Sequence, residues 1–262
     1  MMSCLLYCIL DSRTDYRPRS VSGVGDRPVS MVTTGGLGAA LSSSSGLDLR
    51  PDTTNVLAYH KVIAAFHRYG TVIPLRYGLI CEDASQVVKI LDEQRERYMS
   101  LLIELQGCVE MGISILLPSI ATSNAHLPSA TRDILPDGVQ ELKGGRAFLA
   151  ARRAHYARLE RTARTDRACV EQCRAAFAGM FIKCNVESPT IRLKRFNRNS
   201  PLSLYFLVPR DSLSAFRGAF RRMSIGERAK VLISGPWPPY NFVQPDSGSR
   251  ACPKPDSIIN RC

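Results

Sequence analysis

Apolar residues in the N-terminal part of the chain follow two periods. Leu5 to Leu10 is a short apolar run closed by Asp11 and Arg13, which predicts a strand. Val29 to Ser45 predicts a second strand, with Gly35, Gly36 and Gly38 in its middle and a serine run at its end. Pro51 opens a helix in which Val56, Tyr59, Ile63 and Phe66 recur at helical spacing, and Gly70 stops it. Thr71 to Cys81 predicts a strand. Glu82, Asp83 and Ser85 then lead into a helix striped by Val87, Leu91, Tyr98, Leu101, Leu102 and Leu105, with Glu93 and Arg97 spaced to pair on its wet side. After Gly107 the alternation of Val109, Met111, Ile113 and Ile115 predicts a strand to Leu117. The order is ββαβαβ, and two helices on one face of a mainly antiparallel sheet would bury these stripes economically.

Residues 119–143 mix Ser, Thr, Asn, Pro, Asp and Gly and read as a linker. A strong helix follows Gly144 and Gly145. Phe148, Ala151, His155, Leu159 and Thr162 share one side of it, while Arg146, Arg153 and Arg164 share the opposite side. A second helix is expected around Arg167 to Met180, giving a helical hairpin. The remainder reads as strand (Thr190 to Phe196), turn (Asn197 to Pro201), strand (Ser203 to Val208), helix (Asp211 to Arg222) and strand (Lys230 to Ser234). The expected fold class is α+β in two domains. They are an N-terminal ββαβαβ domain over 1–118 and a ferredoxin-like domain with a helical hairpin over 144–243. A disordered tail is expected over 244–262.

Composition narrows the function classes. A mean hydropathy of −0.08 and the lack of any apolar run near the roughly 18–20 residues a bilayer requires exclude a spanning helix. Met1 to Leu10 lacks a basic leader and a cleavage pattern, so it reads as a strand rather than a signal peptide, and a cytoplasmic chain is expected. The formal charge is +12, which favours an acidic partner. Nine cysteines stand at irregular spacing, so no disulfide framework is expected and all should be reduced. Cys81 and Cys108 read as small core residues.

Catalytic signatures are missing from the sequence: there is no nucleophile elbow, zincin, phosphate-loop or dinucleotide motif. His60 and His67 lie seven apart on one helix and do not make a pair; His126 and His155 are isolated. Cys169, Cys173 and Cys184 could supply part of a zinc site but lack a completing ligand. The expectation is a protein without metal or cofactor, and not an enzyme. One segment stands out. Ser234-Gly-Pro-Trp-Pro-Pro-Tyr-Asn-Phe242 carries the chain's single Trp among three prolines. It reads as a stiff arm leaving the last strand, with Trp237 largely buried against the second domain and Tyr240 and Phe242 more available to a partner.

That segment resembles the closing motif of the GvpF/GvpL gas-vesicle proteins. Ile73-Pro74-Leu75-Arg76-Tyr77-Gly78 resembles the family's Pro-Leu-Arg-Phe-Gly strand, and Gly107-Cys-Val-Glu110-Met-Gly112 its Val-Glu-x-Gly strand. Gly145 to Arg152 resembles the start of its helical hairpin, and Tyr205-Phe-Leu-Val-Pro-Arg210 its Phe-Leu-Val-Asp-Arg strand end. Met111, Ser114 and Pro209 depart from the family pattern. The residues carrying the resemblance most specifically are Pro74, Arg76, Gly78, Glu110, Gly235, Pro236, Trp237, Pro238, Pro239 and Tyr240.

The resemblance implies an accessory protein of gas-vesicle formation, located in the cytoplasm or at the vesicle. Its implied partners are the small hydrophobic wall subunit and other accessory proteins, and not nucleic acid or membrane. Arg146, Arg153, Arg164, Trp237, Tyr240 and Phe242 are the expected partner-binding residues. A basic RNA-binding protein of tandem ferredoxin-like units is the alternative, although no aromatic and basic RNA-binding strand motif is present. A small-molecule enzyme is the weaker rival.

Overall fold

The computed structural model describes residues 3–13, 21–44, 51–117, 145–187, 201–225 and 229–243, and within the long helix it omits the side chains of 145–148, 150, 151, 155 and 158. The expected linker 119–143, the strand Thr190 to Phe196, most of the turn after it, and the tail 244–262 lie outside the described residues. So do His126 and the side chains of Arg146, Phe148, Ala151 and His155. The chain forms two compact units. One is Met1–Gln106 together with the segment that begins at Pro238, and the other is Gly107–Trp237. The fold is α+β, with an antiparallel sheet in each unit.

In the first unit, β1 (Ser3–Asp11) is central. It pairs with β3 (Leu37–Ser44) on one side and with β4 (Val72–Pro74) and β5 (Ile80–Cys81) on the other, and β2 (Val29–Thr34) is the outer neighbour of β3. A register shift between Leu6 and Cys8 makes a bulge at Tyr7. The bulge places Leu5, Tyr7, Cys8 and Leu10 in one cluster with Tyr59, Val62, Ile63 and Phe66 of α1 (Thr53–His67). The alternate residues Leu6, Ile9 and Ile73 are buried as well. α2 (Ala84–Glu93) and α3 (Arg95–Glu104) pack on these strands and bury Val87, Leu91 and Leu102. Helices therefore cover both faces of the sheet, where a single covered face was expected.

Local chemistry explains the other departures in this unit. The expected strand 29–45 is a hairpin, because Gly35 (φ 53°) and Gly36 (φ 89°) both adopt the left-handed conformation that a tight two-residue turn requires. The strand expected over 71–81 is interrupted by a loop at 75–79, with Gly78 at φ 89°. Asp52 and Asp83 cap α1 and α2, each accepting from a backbone N–H at 2.8 Å (Asn55 and Gln86). The break at Gln94 separates α2 from α3 and redistributes the expected ion pair. Glu93 meets Lys89 at 3.9 Å, and Arg97 donates to Gln94 at 3.4 Å.

The second unit has the sheet order β7-β8-β6-β9, formed by β6 (Cys108–Leu116), β7 (Lys183–Glu187), β8 (Leu202–Pro209) and β9 (Lys230–Trp237). α4 (Gly145–Ala176) follows β6 and α5 (Leu213–Arg222) follows β8, so the order is βαββαβ and the unit is ferredoxin-like. β6 was expected in the first domain; it is one of the two inner strands of the second, paired along its length with β8 and β9. The hairpin is replaced by one helix of 32 residues, roughly 48 Å long at 1.5 Å per residue. Its C-terminal part is anchored by Cys169, Val170, Cys173 and the following Phe177 in the core. Phe177 stacks on Phe216 at 4.1 Å between centroids and meets Phe206 edge-on at 5.2 Å, each contact adding about 1 kcal/mol beyond area burial. A 3-10 turn over Arg210–Ser212 leads into α5, and neither Pro209 before the turn nor Ser212 before the helix supplies a side-chain cap.

Candidate functional site

The closing segment begins inside β9. Across the β6–β9 ladder Ser114 faces Leu232, Gly112 faces Ser234 and Glu110 faces Trp237. Two steps along β6 thus match two along β9 and then three, because an extra residue is inserted at Gly235–Pro236. Directly opposed residues share a face. The bulge therefore puts Trp237, rather than Pro236, on the same face as Leu232 and Ser234, away from the helix-covered core of Val109, Met111, Ile113, Phe206 and Phe216. Gly235 permits this at φ 105°, with a backbone approach so close that a Cβ would lie 2.6 Å from the Glu110 carbonyl oxygen. The Gly235–Pro236 peptide is cis. Glu110 is buried.

β9 is an outer strand, pairing with β6 alone among the described strands. It presents Leu232 at 69 % exposure and Trp237 at 41 %. The expected burial order within the motif is thus reversed. Trp237 is exposed, Phe242 is buried at 6 %, and Tyr240 is half-buried. The sequence reading ended the strand at Ser234, whereas the ladder continues to Trp237 and lifts that ring out of the core.

After Trp237 the chain enters the first unit. Pro238 and Pro239 are buried, and a short 3-10 turn over Tyr240–Phe242 follows. Tyr240 Oη lies 3.0 Å from His60 Nδ1 on α1. Burial lowers the His60 pKa and so favours the neutral ring. One residue earlier on α1, the buried Tyr59 hydroxyl lies 2.7 Å from the Leu6 carbonyl, 3.0 Å from that of Arg76 and 3.2 Å from that of Leu75. Burial pushes its own pKa up. The Tyr77 ring meets Tyr59 edge-on at 5.2 Å. α1 therefore holds both the 75–79 loop and the 238–242 turn, two segments far apart in sequence. Pro74 is buried, Gly78 is half-buried and Arg76 is exposed.

The arginine face of α4 is less organised. Arg153 and Arg164 are exposed, and Arg152 lies over the Tyr156 ring at 5.7 Å. No group of three or more possible metal ligands occurs among the described residues. Cys81 and Cys108 are core residues, buried at 3 % and 2 %. No helix is long and apolar enough to cross a membrane among the described residues.

A family model described as gas vesicle synthesis protein GvpL/GvpF matches residues 3–244. The chain belongs to the GvpL/GvpF family. Among curated GvpL/GvpF relatives, the chain is 29 % identical over 248 residues to gas vesicle protein F of a Streptomyces strain, covering 93 % of this chain and all of the relative. It is 27 % identical over 247 residues to gas vesicle protein L of the same strain, covering 86 % of each. The crystal structure of GvpF from Anabaena shares the fold, with a TM-score of 0.71 at 18 % identity, 93 % of this chain and 97 % of that one being covered. GvpF from Microcystis aeruginosa gives 0.68 at 16 % identity. Membership assigns the chain to gas vesicles.

Proposed function

We propose that this GvpL/GvpF chain is an assembly factor that binds the hydrophobic wall subunit, and other vesicle proteins, while a gas vesicle nucleates. It acts by binding and not by catalysis, in the cytoplasm and at the growing vesicle. The observation that carries this reading is the edge of the ferredoxin-like sheet. β9 exposes Leu232 and Trp237 on one face; with the bulge between them they span four rungs of β6, roughly 13 Å at 3.3 Å per rung. An outer strand offers main-chain hydrogen bonds to an added strand, and the two apolar side chains give that strand something to pack on. A strand-rich, aggregation-prone client suits such an edge.

Arg153 and Arg164 are assigned a supporting role, drawing acidic segments of other vesicle proteins to α4. RNA fits the same sheet less well. The Tyr205 hydroxyl on β8 donates to Glu187 at 3.1 Å, so this ring is tied to a carboxylate rather than left to stack on a base. The test is capture of the co-expressed wall subunit by the full chain. Leu232→Ser with Trp237→Ala should reduce capture at least tenfold and leave the melting midpoint within about 3 °C, since both side chains are exposed. Undiminished capture by a folded double variant overturns the assignment to β9.

A further inference from the structure

Cys4 on β1 stands directly opposite Cys81 on β5. No other cysteine among the described strand registers faces a second one. Cys8 faces Ala40 and Pro74, Cys108 faces Pro209, and Cys184 faces Phe206. Cys169 and Cys173 are four apart on a helix, where Cβ atoms stand about 5–6 Å apart, too far for a bridge that needs about 3.5–4.5 Å.

Opposed residues of an antiparallel pair carry Cβ atoms about 4.5–5.5 Å apart, so closing a Cys4–Cys81 bridge must draw the two-residue strand β5 slightly toward β1. Two residues along the same ladder, Leu6 N–H donates to the Leu79 carbonyl at 3.0 Å, so Cys4 and Cys81 occupy a hydrogen-bonded position. Their Cα atoms are then about 5.5 Å apart, near the commonest separation for a disulfide, roughly 5.5–6 Å. Opposed residues project to the same face, and both thiols are free. We propose that Cys4 and Cys81 form a reversible disulfide by exchange with a small-molecule disulfide of the glutathione class. The Cys4 thiolate attacks the small disulfide and releases one small thiol. The Cys81 thiolate then displaces the second, closing Cys4 Sγ–Cys81 Sγ. Two protein thiols are oxidised, one small disulfide is reduced to two thiols, and the two thiol protons pass through solvent to the leaving sulfurs.

The bridge acts on a defined part of the fold. β5 has only two residues and ends the loop 75–79, which contains Arg76, Tyr77 and Gly78. The Tyr59 hydroxyl already holds the start of that loop; the disulfide fixes its other end to β1. Oxidation thus closes the loop at both ends, whatever partner the protein binds. Burial, then the Asp83 charge, raises the Cys4 thiol; burial, then Cys4 and Asp83, raises Cys81. Exchange is therefore slow at neutral pH and quickens with alkalinity as thiolate forms.

The experiment incubates the full chain with oxidised glutathione, blocks remaining thiols with iodoacetamide, digests it with trypsin without reduction and maps the peptides. The expected product joins peptide 1–13 to peptide 77–89, forms roughly tenfold faster at pH 8 than at pH 7, and raises the melting midpoint by about 10 °C. Cys4→Ser, or Cys81→Ala if the first folds poorly, should abolish both the linked peptide and the shift. Recovery of Cys4 and Cys81 alkylated, singly glutathionylated or joined to other cysteines in folded protein overturns the proposal.

Discussion

Replacing Gly235 by Ala tests how the closing motif aims Trp237. The wild-type backbone has φ 105° at this position, and an added Cβ would lie 2.6 Å from the Glu110 carbonyl oxygen and 3.0 Å from Met111 Sδ. Holding a Cβ-bearing residue left-handed costs about 1–2 kcal/mol. Met111 Sδ can swing aside, but the carbonyl belongs to inner strand β6, so relieving that contact means moving paired backbone, at about 1–3 kcal/mol. The sum is about 3 kcal/mol for Gly235→Ala, with loss of the bulge as the escape route. Losing the bulge would return Trp237 to the pleat it would occupy in a regular strand. Urea unfolding followed by circular dichroism measures the first effect. Trp237 is the chain's single Trp, so its emission wavelength and acrylamide quenching report the second without ambiguity. A variant within 1 kcal/mol of wild type, with an unchanged and equally quenched Trp237, would show that the close approach at Gly235 does not control this site.

Tyr59→Phe removes the hydroxyl shared by the Leu6, Leu75 and Arg76 carbonyls and should cost about 2 kcal/mol. Faster amide exchange should accompany it in residues 75–79, and unchanged exchange there would contradict the role given to Tyr59. His60 has a folded pKa lowered by burial, so the unfolded chain binds more protons as pH falls. Its contribution is complete above the unfolded value of about 6.5 and is lost on acidification toward the folded value. His60→Asn should therefore flatten the stability profile between pH 7 and 5, and an unaltered slope would contradict this. Reversing Arg153 and Arg164 to Glu should leave the melting midpoint within about 2 °C, because both are exposed. It should also weaken capture of acidic vesicle proteins, and undiminished capture would return both to an ordinary solvated face.

β1 was legible as an unbroken apolar run, buried from Leu5 to Leu10, whereas side-chain periodicity made α1, α5 and β8 legible. The same signal names a strand's face but not its partner, which is why β6 could be placed as a strand and still assigned to the wrong sheet. Two errors had visible cues. Gly35-Gly36 is a two-residue turn signature between apolar runs, and no Gly or Pro interrupts 146–176, so nothing in that stretch supports a break into a hairpin. The exposure of Trp237 had no such cue. It depends on a bulge fixed by the approach of Gly235 to Glu110, a contact between residues 125 positions apart. Likewise, Tyr240 and Tyr59 are ordinary aromatics in sequence; only the fold brings one to His60 and the other to the 75–76 carbonyls.

The central claim is that a client strand adds to the outer edge of β9. Hydrogen exchange of the full chain with and without the wall subunit tests it most directly, read on peptides covering 230–237. The account predicts slowed exchange of β9 amides on binding, with Trp237 emission shifting to the blue in the same complex. A complex that forms while β9 exchange and Trp237 emission stay as in the unbound protein would contradict it.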